Sequence, residues 1–150
     1  MSNVGAVERA TQKRVVKLFV EELGYDYLGN WEEREETSCV EEEYLRAFLK
    51  SQGVTPDLVN RAVFQLQSTA GNRSQSLYAR NRDVYQLLRY GAKVKPDHGE
   101  VTETVWFIDW EHPTNNHFAI AEEVTVPPSS SLGHSKRPDI VLYVLSLIHI

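Results

Sequence analysis

The hydrophobic period of this chain changes at Gly91, and that change limits the possible folds more than any other feature. Before Gly91 apolar residues recur mostly every three or four positions, the spacing of helix faces; after it they fall in short extended runs. Val16, Phe19, Val20 and Leu23 form the stripe of a first helix that begins after Asn3 and stops at Gly24. Tyr25, Tyr27 and Leu28 then read as a short extended piece closed by Gly29-Asn30. Ser38 with Glu41 has capping-box spacing and opens a second helix, with Tyr44, Leu45, Phe48 and Leu49 as its stripe and its end near Gly53. Thr55-Pro56 suits an N-cap and first helical position, so Leu58, Val59, Ala62, Val63 and Leu66 belong to a third helix broken at Ala70-Gly71-Asn72. A fourth, from Ser76 to Tyr90, is expected to bury Leu77, Val84, Leu87 and Leu88.

Past Gly91, extended runs cover Ala92 to Lys95, Glu100 to Asp109, Phe118 to Val126 and Asp139 to Val144. Turn residues separate them at Pro96-Asp97-His98-Gly99, from Glu111 to Asn116, and across Pro127 to Arg137 with its Ser129, Ser130 and Ser131. The continuous apolar run Ile140 to Val144 reads as a central strand, which needs a partner on each side. The fold class is therefore α/β or, more broadly, α+β: a helical N-terminal half against a mixed sheet.

With 150 residues, 41% apolar and 25% charged, the chain has the profile of one ordinary soluble domain able to bury a core without staples. A lone cysteine, Cys39, excludes an internal disulfide, and no basic-then-apolar leader opens the chain, so the expected location is cytoplasmic and no membrane partner is expected. Net charge is −5 but unevenly spread. Between Glu21 and Glu43 ten carboxylates face only Arg34, a segment that repels nucleic acid. Between Arg61 and Lys95 the balance reverses: Arg61, Arg73, Arg80, Arg82, Arg89, Lys93 and Lys95 stand against Asp83 alone, so an anionic partner could dock there or the helix could simply be solvated.

Neither a Gly-x-x-x-x-Gly-Lys-[Ser/Thr] loop nor a Gly-x-Gly-x-x-Gly fingerprint occurs, which excludes nucleotide binding through either. His112 and His117 straddle a proline without a cysteine pair and read as loop residues rather than zinc ligands. Cys39 precedes an acidic helix whose field disfavours a thiolate. Trp106, Phe107 and Trp110 read as sheet packing in preference to a base-stacking platform. What remains is Pro138-Asp139 at the head of the apolar strand, after Lys136-Arg137: a carboxylate placed to meet a hard cation such as Mg²⁺, which takes one or two protein carboxylates.

Several separated blocks extend this reading. Glu8-Arg9-Ala10-Thr11-Gln12, Gly24 to Trp31, Leu87-Leu88-Arg89-Tyr90-Gly91, Thr102-Glu103-Thr104-Val105 with Ile108 to Pro113, Asn116 with Phe118 to Val124, and Arg137 to Val144 resemble, in this order, the N-terminal region of the R subunit of Type I restriction endonucleases. The resemblance spans residues 5 to 144. It implies a partial restriction-endonuclease-like core of the PD-(D/E)xK class, in a parent protein that also carries an ATP-driven DNA translocase. The parent would cut double-stranded DNA with Mg²⁺, within a complex of restriction, modification (M) and specificity (S) subunits in the prokaryotic cytoplasm. ATP would bind the translocase region, which lies outside this sequence. Asp139 matches the family's metal-binding Asp, and by position Glu8 on the first helix is the candidate acid that completes such a site. The family's Glu-x-Lys on the following strand has no counterpart before Ile150, so the 150-residue chain by itself is expected to be inactive. Arg73, Arg80, Arg82 and Arg89 would contact the DNA backbone, leaving base readout to the specificity subunit.

Residues 1–144 are thus read as the N-terminal part of the R-subunit nuclease domain, and 145–150 as a non-native tail. Leu145-Ser146-Leu147-Ile148-His149-Ile150 is what CTG TCT CTT ATA CAC ATC encodes, a string resembling the end of a transposase sequencing adaptor, and it could pair by chance with the open edge of the preceding strand. Two other functions remain open: a non-catalytic DNA-binding or assembly module with a nuclease-like fold, and a small standalone metalloenzyme.

Overall fold

The computed structural model describes residues 4–34, 40–96, 101–128, 133–144 and 147–149. In chain order its elements are α1 (Val4–Lys17), a π-helical turn (Leu18–Glu22), β1 (Asp26–Asn30), α2 (Glu42–Ser51), α3 (Pro56–Ala70), α4 (Leu77–Tyr90), β2 (Ala92–Val94), β3 (Glu103–Val105), a 3₁₀ turn (Pro113–Asn115), β4 (Phe118–Glu122), β5 (Ile140–Val144) and β6 (Leu147–His149). The fold is α+β, as the change of period predicts. Its contacts gather in two compact units: Met1–Cys39 with His117–Ile150, and Val40–Asn116.

The first is a sheet unit. Its four strands run in the order β1-β4-β5-β6, with β1 parallel to β4 and the other pairs antiparallel. Ala119 and Ala121 of β4 face Tyr143 and Val141 of β5; these four, with Val124, form a buried cluster against which Leu28 and Trp31 pack. The small alanines leave room for the Trp31 and Tyr143 rings, whose centroids lie 5.5 Å apart. Because alternate residues point to opposite faces, Ile120 and Glu122 lie on the other side of the sheet. Tyr27, opposite Ile120 in β1, shares that side. β5 lies between β4 and β6, and β6 comes from the stretch read above as a tail, so β4 is the neighbour that residues 1–144 supply.

The helical unit is built around α3, which contacts α2, α4, β2 and β3. Leu58, Val59, Ala62, Val63 and Leu66 are all buried, as their spacing predicts, together with Leu45, Phe48 and Leu49 of α2. Each such aliphatic side chain contributes roughly 1.5–3 kcal/mol on burial. α4 is capped by Ser76, whose hydroxyl accepts from the Ala79 amide at 3.2 Å, and it ends at Gly91. Gly91 has φ +76, and a Cβ there would stand 2.6 Å from Thr104 Cγ2 and 2.9 Å from the Val105 carbonyl. The chain therefore needs glycine where α4 turns into the β2-β3 hairpin.

Several sequence expectations require correction. α4 buries its apolar face only partly: Val84, Leu87 and Leu88 are half-buried, and Leu77, in the first turn, is 53% exposed. α2 starts at Glu42 with Glu41 in the cap position, making no side-chain cap bond, so its first turn lies after the Ser38-Glu41 box; Ser38 itself lies outside the described residues. The run from Glu100 to Asp109 is a strand only over Glu103–Val105, and of its aromatic residues Phe107 alone is buried. Trp106 and Trp110 are half exposed because the chain leaves the hairpin after Val105. β4 stops at Glu122, since Glu123 takes a left-handed φ of +54 that no ladder continues through. The second half is not one sheet: among the described residues β2 and β3 pair only with each other, while β1, from the first half, joins β4. Cys39, the turn residues Asp97, His98 and Gly99, the serines 129–131, and Leu145, Ser146 and Ile150 also lie outside the described residues.

Candidate functional site

The sheet unit brings polar side chains together where β4 ends and β5 begins. The Glu123 amide donates to the Asp139 carbonyl at 3.1 Å, and from α1 the Gln12 side-chain amide donates to the same carbonyl at 3.1 Å. That amide also donates to Glu122 Oε2 at 2.8 Å and, more distantly, to Glu123 Oε1 at 3.4 Å. One side chain thereby links the first helix to both antiparallel strands. Tyr27 donates its hydroxyl to Glu122 Oε1 at 2.6 Å. This bond, with lesser contributions from burial and the same carboxylate's charge, pushes the Tyr27 phenol up to about 12. Arg137, directly before Pro138-Asp139, reaches Glu123 at 3.6 Å and Glu32 at 3.5 Å.

These contacts account for the strained backbone at Glu123. A left-handed glutamate costs on the order of 1–3 kcal/mol, and its amide bond to Asp139 and its ion pair to Arg137 hold it in place. Beside the network lies a cavity of about 430 Å³ lined by Arg9, Gln12, Lys13, Asn30, Glu32, Glu122 and Glu123, so cations from α1 face carboxylates from the strand ends.

Asp139 stands at the head of β5, exposed to solvent, with its backbone fixed from two directions. Glu8 is exposed on α1, four residues before Gln12 and hence on the same helix face. The structure thus places Glu8 on the helix face that Gln12 joins to Asp139. Among the described residues, however, no three His, Cys, Asp or Glu side chains gather as a metal centre. The residues present do not by themselves complete a Mg²⁺ site. Gln12, Glu122, Glu123 and Tyr27 are members of this network that the sequence reading did not single out; the signal was there in two acids directly after the apolar run Phe118 to Ala121.

The arginines belong to the helical unit. Arg73 lies in the turn before α4, and Arg80, Arg82 and Arg89 lie on that helix. Arg82 pairs with its neighbour Asp83 at 3.1 Å, and Arg89 lies 5.0 Å over the Trp110 ring, whose indole N–H donates to the Leu88 carbonyl. Arg61 pairs with Asp57. In the same unit Asp109 accepts from the backbone amides of Glu111 and His112 and from Asn115. The His112 amide bond, then that from Asn115, holds its carboxyl below the usual range. His117, in the sheet unit, contacts Asp26 at 2.9 Å; neither histidine lies in a metal cluster among the described residues.

A family model described as Type I restriction enzyme R protein N terminus matches residues 6–150. The chain belongs to that family. No curated protein and no solved structure matches it.

Proposed function

We propose that the sheet unit is the beginning of a PD-(D/E)xK nuclease core, and that the R protein of which this sequence is the N-terminal part cleaves double-stranded DNA. The observation that carries the reading is the placement of Arg137-Pro138-Asp139: an exposed carboxylate at the mouth of a central strand, its backbone held by Gln12 and Glu123. In this reading Asp139 is one ligand of a Mg²⁺ ion, Glu8 supplies a further acid from α1, and the family's Glu and Lys follow on the next strand. Bound Mg²⁺ would neutralise charge developing on the phosphate and lower the pKa of the attacking water. The chain's own contribution is to hold Asp139 rigid and keep Gln12 between the helix and the strand ends.

The same reading gives the protein an ATP-driven translocase further along the chain, modification and specificity subunits as partners, and the prokaryotic cytoplasm as its location. Among the described residues no helix is long and apolar enough to cross a membrane. Arg73, Arg80, Arg82 and Arg89 serve as DNA contacts, by charge and not by base readout. The test is Asp139→Ala in the complete R protein assembled with its M and S subunits. DNA cleavage is expected to disappear while DNA-stimulated ATP hydrolysis continues; cleavage that survives would sink the nuclease reading and favour an assembly module.

A further inference from the structure

On α4 the residues Tyr78, Arg82, Tyr85 and Arg89 follow one another at steps of four, three and four, which puts them on one helix face. All four are exposed, Tyr78 at 78% and Tyr85 at 62%. The face contains no carboxylate. Asp83, the one acid of the helix, sits beside it and is met by Arg82 and Gln75, an exposed arrangement that an incoming anion can displace. At 1.5 Å per residue the two rings stand about 10 Å apart along the axis, each followed by a guanidinium one turn on.

We infer that this face binds single-stranded DNA, with the tyrosines stacking on unpaired bases and Arg82 and Arg89 meeting the phosphates. The inference rests on the proposal that the helical unit contacts DNA, and it specifies the form of DNA. A duplex offers phosphates to the arginines, but its bases are already stacked on one another and present no face to a tyrosine ring. Unpaired bases present both, and stacking accepts any base. A protein partner would bring apolar side chains of its own, whereas the aliphatic residues Val84, Leu87 and Leu88 of α4 are half-buried away from this face, leaving rings and positive charge. Against the two guanidinium groups of the face stands one acid, Asp83, in an exposed pair with Arg82, and Arg89 lies over the Trp110 ring, so the net positive charge favours a polyanion.

Binding of the 150-residue chain to a fluorescent twenty-nucleotide oligothymidylate and to a twenty-base-pair duplex, measured by anisotropy over a salt series, tests this directly. The double variant Tyr78→Ala/Tyr85→Ala is expected to weaken oligothymidylate binding by about thirtyfold, with little change for the duplex. Tyr78→Phe/Tyr85→Phe keeps the rings and is expected to bind like the parent. Arg82→Ala and Arg89→Ala are expected each to reduce the salt slope for the single strand by about 0.7. Oligothymidylate binding that is absent from the parent chain or unaffected by loss of the rings, or an equal loss for both DNAs, overturns the inference. The nuclease reading is judged separately, by cleavage with Asp139 altered and α4 intact.

Discussion

The two units hold their polar groups in different ways. At the strand ends of the sheet unit several polar side chains anchor one another: Gln12 bonds to Glu122 and to the Asp139 carbonyl, Tyr27 to Glu122, and Arg137 to Glu123. On α4 the rings of Tyr78 and Tyr85 are largely exposed to solvent. A fixed network suits chemistry, where geometry must be set before the substrate arrives. A row of exposed rings and guanidinium groups suits reversible contact with a flexible polymer. The comparison also shows where each unit is vulnerable: the helical unit in its core and in the crowded turn at Gly91, the sheet unit in its polar links.

The largest expected effect is in the helical core. Phe107 is fully buried, and Phe107→Ala is expected to cost about 3–5 kcal/mol in chemical denaturation; a loss below 1 kcal/mol would mean that the loop after β3 does not seal this core. Gly91→Ala forces a Cβ against Thr104 and the Val105 carbonyl at positive φ, with an expected cost of about 2 kcal/mol read as a lowered melting temperature. In the sheet unit Gln12→Ala leaves Glu122 and the Asp139 carbonyl short of a donor, and an expected cost of about 1–2 kcal/mol would place the network among the moderate contributors.

Tyr27 sharpens the contrast by pH. Its phenol titrates at about 12 in the folded chain against 10 in the unfolded one, so the folded state holds the proton more tightly. The resulting stability is fully present below pH 10 and is lost as pH rises toward 12. Glu122→Gln should bring the phenolate absorbance transition back toward 10; a transition left near 12 would assign the shift to burial instead. The smallest effect is expected at Arg61→Ala, which removes an exposed pair with Asp57 and should cost only about 0.3–0.5 kcal/mol.

Much of the helical unit was legible because burial and periodicity coincide there. The α3 stripe from Leu58 to Leu66 is buried residue for residue. What periodicity could not convey was pairing. The extended runs after Gly91 look alike in composition, yet Ala92–Val94 pairs, among the described residues, only within its hairpin while Phe118–Glu122 takes a partner from the first half of the chain. Strand partners are chosen in three dimensions, and the local pattern carries no record of the choice. The position of Asp139 at the head of a strand was legible from its dipeptide and the run that follows. Glu122 and Glu123 were not, since their meeting with Gln12 depends on a left-handed turn at a glutamate, where sequence would have called for glycine or asparagine.

The parallel pairing of Asp26–Asn30 with Phe118–Glu122 joins two strands that lie before and after the Val40–Asn116 unit in the sequence. During synthesis the contiguous unit can therefore collapse on its own local contacts as it emerges. The earlier strand must wait for a neighbour made much later, after a long loop closes at an entropic cost. An open strand edge during that wait is exposed to mispairing. Slow completion of the sheet, rather than weakness of the finished one, is the step at which overproduced protein would be drawn into aggregates.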